Sequence, residues 1–243
     1  MTILVLSGTR EGRDIAADLH RSGIDVIASL AGATRSPRAQ DVPTRSGGFG
    51  GAQGFKTYLK EHSISAVLDA THPFASAITE RSARICAELG IPYCLYSRPA
   101  WRATEQDNWT MLGNETEAAQ HVKAGEIIFL ATGRKTLERF ANLSNNYLIC
   151  RQIDPPNGPF PFPNGEFLIG RPPFSIEDEV RLFKKLKIDW LIVKNAGGTA
   201  SFSKLDAARE LGLKVGMIER PAVPDALCVS TIEQAIEWSA AHG

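Results

Sequence analysis

The segment Asp69-Ala70-Thr71-His72-Pro73-Phe74-Ala75 brings an acid, a hydroxyl and an imidazole together directly after the apolar run Ile64 to Leu68. A histidine at the carboxyl end of a buried parallel strand stands where open α/β sheets bind ligands, and Pro73 suits the first position of a helix, where its missing N–H costs nothing. His72 in that place could transfer a proton or orient a cofactor, with Thr71, Pro73 and Phe74 beside it. A plainer role accounts for the same residues: Asp69 and Thr71 capping the next helix.

Ser7-Gly8-Thr9-Arg10-Glu11-Gly12-Arg13, after the apolar Ile3 to Leu6, points to different chemistry. A strand that turns on glycine into a helix lets the backbone approach a pyrophosphate, whose charge the helix N-terminus stabilises. Gly8, Thr9, Arg10, Glu11 and Gly12 are therefore candidate cofactor residues. The dinucleotide fingerprint G-x-G-x-x-G is incomplete here, so a plain tight turn also fits. Roughly 20 residues on, where an NAD site places an acid for the ribose 2′-hydroxyl, the stretch Ser29 to Arg38 has none. It offers Gly32, Thr34, Arg35 and Arg38 instead, and two guanidiniums suit the 2′-phosphate of NADPH. As surface arginines they are equally accounted for as solvated loop charges. Ser46, Gly47 and Gly48, in a glycine-rich stretch, would let the backbone close over the same cofactor or form a mobile connection.

Two comparable corners lie in the second half. Thr132-Gly133-Arg134-Lys135 follows one strand, and Lys194-Asn195-Ala196-Gly197-Gly198 follows the apolar Leu191-Ile192-Val193. Both place donors at a carboxyl edge, so Thr132, Gly133, Arg134 and Asn195 join the candidate cofactor residues. If two sheets face one cleft, His72, Thr132, Lys194 and Asn195 converge on it. Ordinary β-α turns with Lys194 exposed are the alternative, although a lysine ending a buried strand is costly to place.

These corners need strands and helices in alternation to position them, and the pattern supplies that. Strands are predicted at Ile3–Leu6, Asp25–Leu30, Val42–Arg45, Ala66–Asp69 and Pro92–Leu95, with helices at Arg13–Arg21, Phe55–His62 and Phe74–Leu89. Past Arg98 and Pro99 the rhythm pauses and resumes. The second set has strands Thr110–Leu112, Glu126–Leu130, Tyr147–Cys150, Trp190–Val193 and Val215–Ile218. Its helices are Thr116–Lys123, Thr136–Ala141, Ile176–Leu186, Ser203–Leu211 and the tail Thr231–Ala240. Asp154 to Pro173 reads as a long loop, a binding lid or a strap. The predicted fold is α/β, two Rossmann-like parallel-sheet domains over residues 1–98 and 99–243, with the active-site cleft between them.

Composition narrows the function classes. The chain has 243 residues, and its 27 basic side chains balance its 27 acidic ones. No field of one sign is available to attract nucleic acid or anionic lipid. The N-terminus lacks a signal-peptide pattern and no run is long enough to cross a bilayer, so a cytoplasmic protein is expected. Cys86, Cys94, Cys150 and Cys228 have no paired spacing, which predicts buried thiols, no disulfide and no structural zinc.

Six blocks resemble the precorrin-6A reductase family, in order along nearly the whole chain. They are Gly8-Thr9-x-Glu11, Asp69-Ala-Thr-His-Pro-Phe-Ala75, Arg98-Pro99-x-Trp101, Lys194-x-x-Gly-Gly198, Lys204-Leu-Asp-Ala-Ala-Arg-Glu-Leu-Gly212 and Glu219-Arg-Pro221. Two departures stand out: Ser7 where the family often has glycine, and Pro172-Pro173-Phe174-Ser175 in place of Gly-Pro-Phe-Ser. The resemblance implies an NADPH-dependent reductase of cobalamin biosynthesis, reducing the C18–C19 double bond of precorrin-6A to give precorrin-6B. It implies no metal, and a substrate rich in carboxylates for which Lys135, Arg171, Gly197, Gly198 and Lys204 are candidate contacts. Lys194 and His72 are the candidate catalytic residues, with an ordered water as a third possible proton source. A cobalt-precorrin-6A substrate, or a dinucleotide-binding regulator without turnover, would use the same features.

Overall fold

A computed structural model describes residues 1–32 and 41–243; the candidate residues Thr34, Arg35 and Arg38 lie outside them. The chain begins with β1 (Thr2–Ser7), α1 (Arg10–Arg21), β2 (Asp25–Leu30), β3 (Thr44–Ser46), α2 (Gly51–Glu61), β4 (Ile64–Ala70), α3 (Ser76–Leu89) and β5 (Tyr93–Tyr96). It continues with β6 (Trp109–Leu112), β7 (Ile127–Leu130), β8 (Tyr147–Gln152), β9 (Gly165–Ile169), α4 (Ile176–Leu186), β10 (Trp190–Lys194), α5 (Ser203–Leu211) and β11 (Lys214–Ile218), and ends with β12 (Leu227–Val229) and α6 (Ile232–Ala240). Two compact units result, Met1–Pro99 with Pro221–Gly243, and Ala100–Arg220.

The first unit is a six-stranded sheet in the order β12-β5-β4-β1-β2-β3, every pair parallel. Side chains alternate across a strand, so β1 divides its apolar residues between two cores. Ile3 and Val5 pack with Ile15 and Leu19 of α1 on one face. Leu4 and Leu6 pack with Phe55 and Leu59 of α2 and Ile85 of α3 on the other. A strand buried on both faces must be continuously apolar, and this one is. Gly12 sets how closely α1 lies on the sheet, because a Cβ there would stand 3.0 Å from both the Cβ and the carbonyl oxygen of Ala70. Gly12→Ala is therefore expected to destabilise the protein by about 1–3 kcal/mol, read as a lowered denaturation midpoint. An unchanged midpoint would mean that the helix does not sit this close.

The second unit is a sheet in the order β6-β11-β10-β7-β8-β9, again all parallel. Phe129, Leu191, Val193 and Met217 meet Val180 and Phe183 of α4 and Leu205 and Ala208 of α5. Where helices were predicted at Thr116–Lys123 and Thr136–Ala141, the chain forms 3-10 segments, Glu115–Gln120 and Arg134–Leu143. The buried residues of the longer segment, Leu137, Phe140 and Leu143, recur every third position. A kink at Phe140, with φ −95° and ψ 17°, divides the longer segment into two short pieces, in keeping with the short runs this helix type forms. The long loop predicted over Asp154–Pro173 contains β9, which pairs with β8.

The tail corrects the expected domain span of 99–243. β12 pairs with β5, and Ala235 of α6 is fully buried in the core that contains Ile15 and Leu19. β5 would otherwise present an unpaired sheet edge, and β12 covers it. Local pattern cannot say which of two sheets a short terminal strand will join. Among the described residues no helix is long and apolar enough to cross a membrane. Cys86, Cys94 and Cys150 are buried, and burial pushes their thiols up to about 12, 12 and 11; Cys228, expected to be buried, is exposed.

Candidate active site

Parallel strands present all their carboxyl ends on one edge, so β1 and its neighbour β4 bring Gly8, Thr9, Thr71 and His72 together. A Cβ on Gly8 would lie 3.3 Å from the Cα of Thr71 and 3.4 Å from the backbone nitrogen of His72, which is why glycine occupies this turn. Thr9 caps α1: its hydroxyl accepts from the Gly12 amide at 3.0 Å and donates to the Ala70 carbonyl at 3.0 Å. Arg10 is exposed and pairs with Asp14 at 3.6 Å. Glu11 would put a carboxylate at the helix end where an anion is expected, but Arg98 holds it at 2.5 Å in a mostly buried ion pair. The N-terminal dipole of α1 is thereby left without an uncompensated negative charge beside it.

Asp69 is fully buried and accepts from the Thr71 amide at 3.0 Å and from the Tyr93 hydroxyl at 2.8 Å. Burial, reinforced by the Asp69 carboxylate, pushes the Tyr93 hydroxyl far above its ordinary value. Asp69 and Thr71 therefore fix the strand end and do not cap the following helix. The helix predicted to open at Pro73 starts only at Ser76. Residues 73 and 74 form a turn closed by the Ala75 amide donating to the His72 carbonyl at 2.7 Å. His72 Nδ1 accepts from the Phe74 amide at 3.2 Å, so a neutral ring carries its proton on Nε2. A few strands away, Gly32 and Gly47 adopt φ of +68° and +107° at the ends of β2 and β3, with Ser46 and Gly48 beside them. Arg45 lies over the Phe49 ring at 4.0 Å and donates to Ser29 Oγ at 2.7 Å and the Gly48 carbonyl at 2.9 Å.

In the second unit, adjacent β7 and β10 bring the corner of Thr132 and Gly133 beside Lys194. The Lys194 ammonium is 3.2 Å from Thr136 Oγ1 and 3.5 Å from a carboxylate oxygen of Glu115. Burial lowers the proton affinity of Lys194 and Glu115 restores part of it. For Glu115 itself burial works against the charge, but its own backbone amide, Arg139 and Lys194 outweigh it and hold the carboxyl below its usual range. The buried Thr132 hydroxyl makes no hydrogen bond within the protein. Arg134 and Lys135 are exposed at the head of the second 3-10 segment, after Gly133 at φ +76°.

Asn195 departs from its expected role in cofactor binding. Its side-chain oxygen accepts from the Trp101 amide at 2.8 Å and its nitrogen donates to the Trp101 carbonyl at 3.0 Å. A buried amide with both ends engaged by backbone is a clasp. Trp101 Nε1 adds a bond to the Gly198 carbonyl at 2.7 Å, and Gly197 and Gly198 supply the positive φ that this corner requires. Arg171 is 3.9 Å from Asp154, and Lys204 joins Arg151, Gln152 and Glu179 around a cavity. Glu115 and Arg45 are not among the candidates read from the sequence, and Arg98 appears there only in a family block and at a domain boundary, with no partner assigned. Arg98 stands in a block that reads as a domain boundary, and nothing local marks Glu115 as the partner of a lysine so distant in the chain.

Residues 2–240 match the family model described as Precorrin-6x reductase CbiJ/CobK. The chain is 39% identical to the precorrin-6A reductase of Rhodobacter capsulatus, over 99% of this chain and 96% of that one. It is 31% identical to the cobalt-precorrin-6A reductase of Priestia megaterium, covering 96% of each. A solved structure of CobK precorrin-6A reductase superposes with a TM-score of 0.95 at 38% identity, covering 100% of this chain and 97% of that one.

Proposed function

The chain belongs to the precorrin-6x reductase family, and from that membership we propose that it reduces the C18–C19 double bond of precorrin-6A with NADPH as hydride donor. Reduction of precorrin-6A in cobalamin biosynthesis is its activity; the double bond, the cofactor and the residue roles are the proposal. The observation that supports the cofactor best is the Glu11–Arg98 pair. It clears the N-terminus of α1 for a pyrophosphate beside a glycine turn that excludes a side chain.

When bound, the dihydronicotinamide supplies a hydride to one carbon of a conjugated iminium system. The protein's part is to hold the two molecules and to deliver a proton to the neighbouring carbon. In this reading the first unit takes the dinucleotide at Gly8, Thr9 and the α1 N-terminus. His72 stands at the neighbouring strand end, where it orients the nicotinamide. The second unit takes the tetrapyrrole, and Lys194, whose ammonium burial makes more acidic, donates the proton. Asn195 acts there only by holding Trp101 and the corner next to Lys194.

The test is oxidation of NADPH and NADH, followed with metal-free and cobalt-loaded precorrin-6A in parallel. Oxidation of NADPH by the metal-free substrate is expected, and binding without oxidation would reduce the protein to a regulator. Arg35→Ala should raise the KM for NADPH by about tenfold or more while leaving that for NADH nearly unchanged, since only the 2′-phosphate loses a charge-assisted contact. Equal losses for both cofactors would remove Arg35 from the site.

A further inference from the structure

The second unit holds a partly open cavity of about 140 Å³ whose wall includes Arg151 and Gln152 from the end of β8, Glu179 from α4 and Lys204 from α5. Arg151 and Gln152 are only 8% and 7% exposed. The Arg151 Nη2 donates to both carboxylate oxygens of Glu179, at 2.9 and 2.8 Å. Its guanidinium stacks on the rings of Phe129 and Phe174, 4.8 and 4.5 Å from their centroids. The other fork nitrogen, Nη1, and both polar atoms of the Gln152 side chain make no hydrogen bond within the protein. The two donors among these atoms, Arg151 Nη1 and Gln152 Nε2, are costly to leave unmet on one buried wall unless the cavity takes in an acceptor.

Charge and size narrow what that is. Glu179 neutralises Arg151, which leaves the Lys204 ammonium, donating to the Ser201 carbonyl at 2.6 Å, as one surplus positive charge. A monoanion balances it; a phosphate dianion beside Glu179 would not. The volume suits a group of a few heavy atoms. We propose that this cavity binds a carboxylate whose oxygens accept from Arg151 Nη1, Gln152 Nε2 and Lys204 Nζ. Burial, with Arg151 adding to it and Glu179 opposing, brings the Lys204 ammonium down to about 8. Carboxylate affinity should therefore fall as pH rises through about 8, and Lys204→Met should remove that dependence. The carboxylate has two available sources, an acid side chain of the tetrapyrrole, which rests on the function proposed above, or a small free carboxylate, which does not.

Gln152→Leu is the informative variant, because it deletes an amide that holds nothing in the fold. Its melting temperature should be unchanged or higher, by up to about 4 °C. Acetate and propionate, titrated at constant ionic strength with chloride as the control, should give a saturable calorimetric or NMR response in the wild type that Gln152→Leu weakens about tenfold or more. In parallel, the KM for precorrin-6A is measured with both proteins. A KM raised about tenfold, with kcat and the KM for NADPH changed far less, identifies the substrate's own side chain as the source. Acetate binding that the variant loses, with the KM held, identifies a free carboxylate. The acetate arm reads the same whether or not the wild type turns over precorrin-6A. Silence in both arms, or a melting temperature that drops sharply in Gln152→Leu, overturns the proposal.

Discussion

Lys194→Ala is expected to lower turnover of the tetrapyrrole by about 10²–10⁴-fold, the range that a positioned proton donor contributes, and to leave NADPH affinity within about twofold. The expectation rests on where the ammonium sits. Its side chain is 15% exposed, 3.5 Å from a Glu115 carboxylate that is itself 4% exposed. Burial lowers the lysine's proton affinity and makes it a stronger acid, and Glu115 keeps enough of the charge in place for a proton to be given. The sign of the pH dependence follows: turnover falls as pH rises through the lowered value, because the donor is lost. Glu115→Gln removes the group that raises this value, so the alkaline limb should move to lower pH. A merely structural role for Glu115 would change stability without moving the limb. Arg139 stays 3.1 Å from Glu115 when Lys194 is replaced, so the carboxylate keeps a partner and the fold should survive. Wild-type turnover and KM in Lys194→Ala would pass the proton to His72 or to water.

Glu179→Ala is expected to cost about 3–5 kcal/mol of stability, because it strands the buried Arg151 guanidinium that Glu179 neutralises. In a chain of this size that corresponds to a fall of roughly 10 °C or more in the transition of the second unit. The double variant Arg151→Met, Glu179→Leu should recover most of the loss, since it removes both charges and keeps their volume among Phe129 and Phe174. Urea and thermal denaturation of the single and double variants decide the matter, and a single-variant cost below about 1 kcal/mol would mean that Arg151 reaches solvent or another partner.

Much of the site could be read from the chain because it is built at strand ends, where local pattern speaks. The apolar runs before Ser7, Ala70 and Lys194 fix three strands, and in a parallel sheet a strand's end is also the ligand edge. α4 and α5 fall on their predicted residues because apolar periodicity and end signals agree there, with a Ser175 capping box for one and Gly212 closing the other. The placement of the glycine turn, of His72 and of the Lys194 corner at strand ends was legible for the same reason.

What the tertiary structure decided are the pairings between residues far apart in sequence. Arg98 neutralises Glu11, Glu115 meets Lys194, and Asn195 turns from a ligand donor into a clasp on Trp101. None of these has a local signal, because a salt bridge or a side-chain amide is satisfied by whatever the fold brings near it. The same holds for the tail, whose β12 and α6 look alike to either sheet until the open edge of β5 selects them. Sequence determined most of the elements, with β9, β12 and the two 3-10 segments excepted, and which residues stand at their ends. Packing alone determined which charges are spent on structure and which remain for chemistry, since burial and distance set that balance and neither is written in the order of residues.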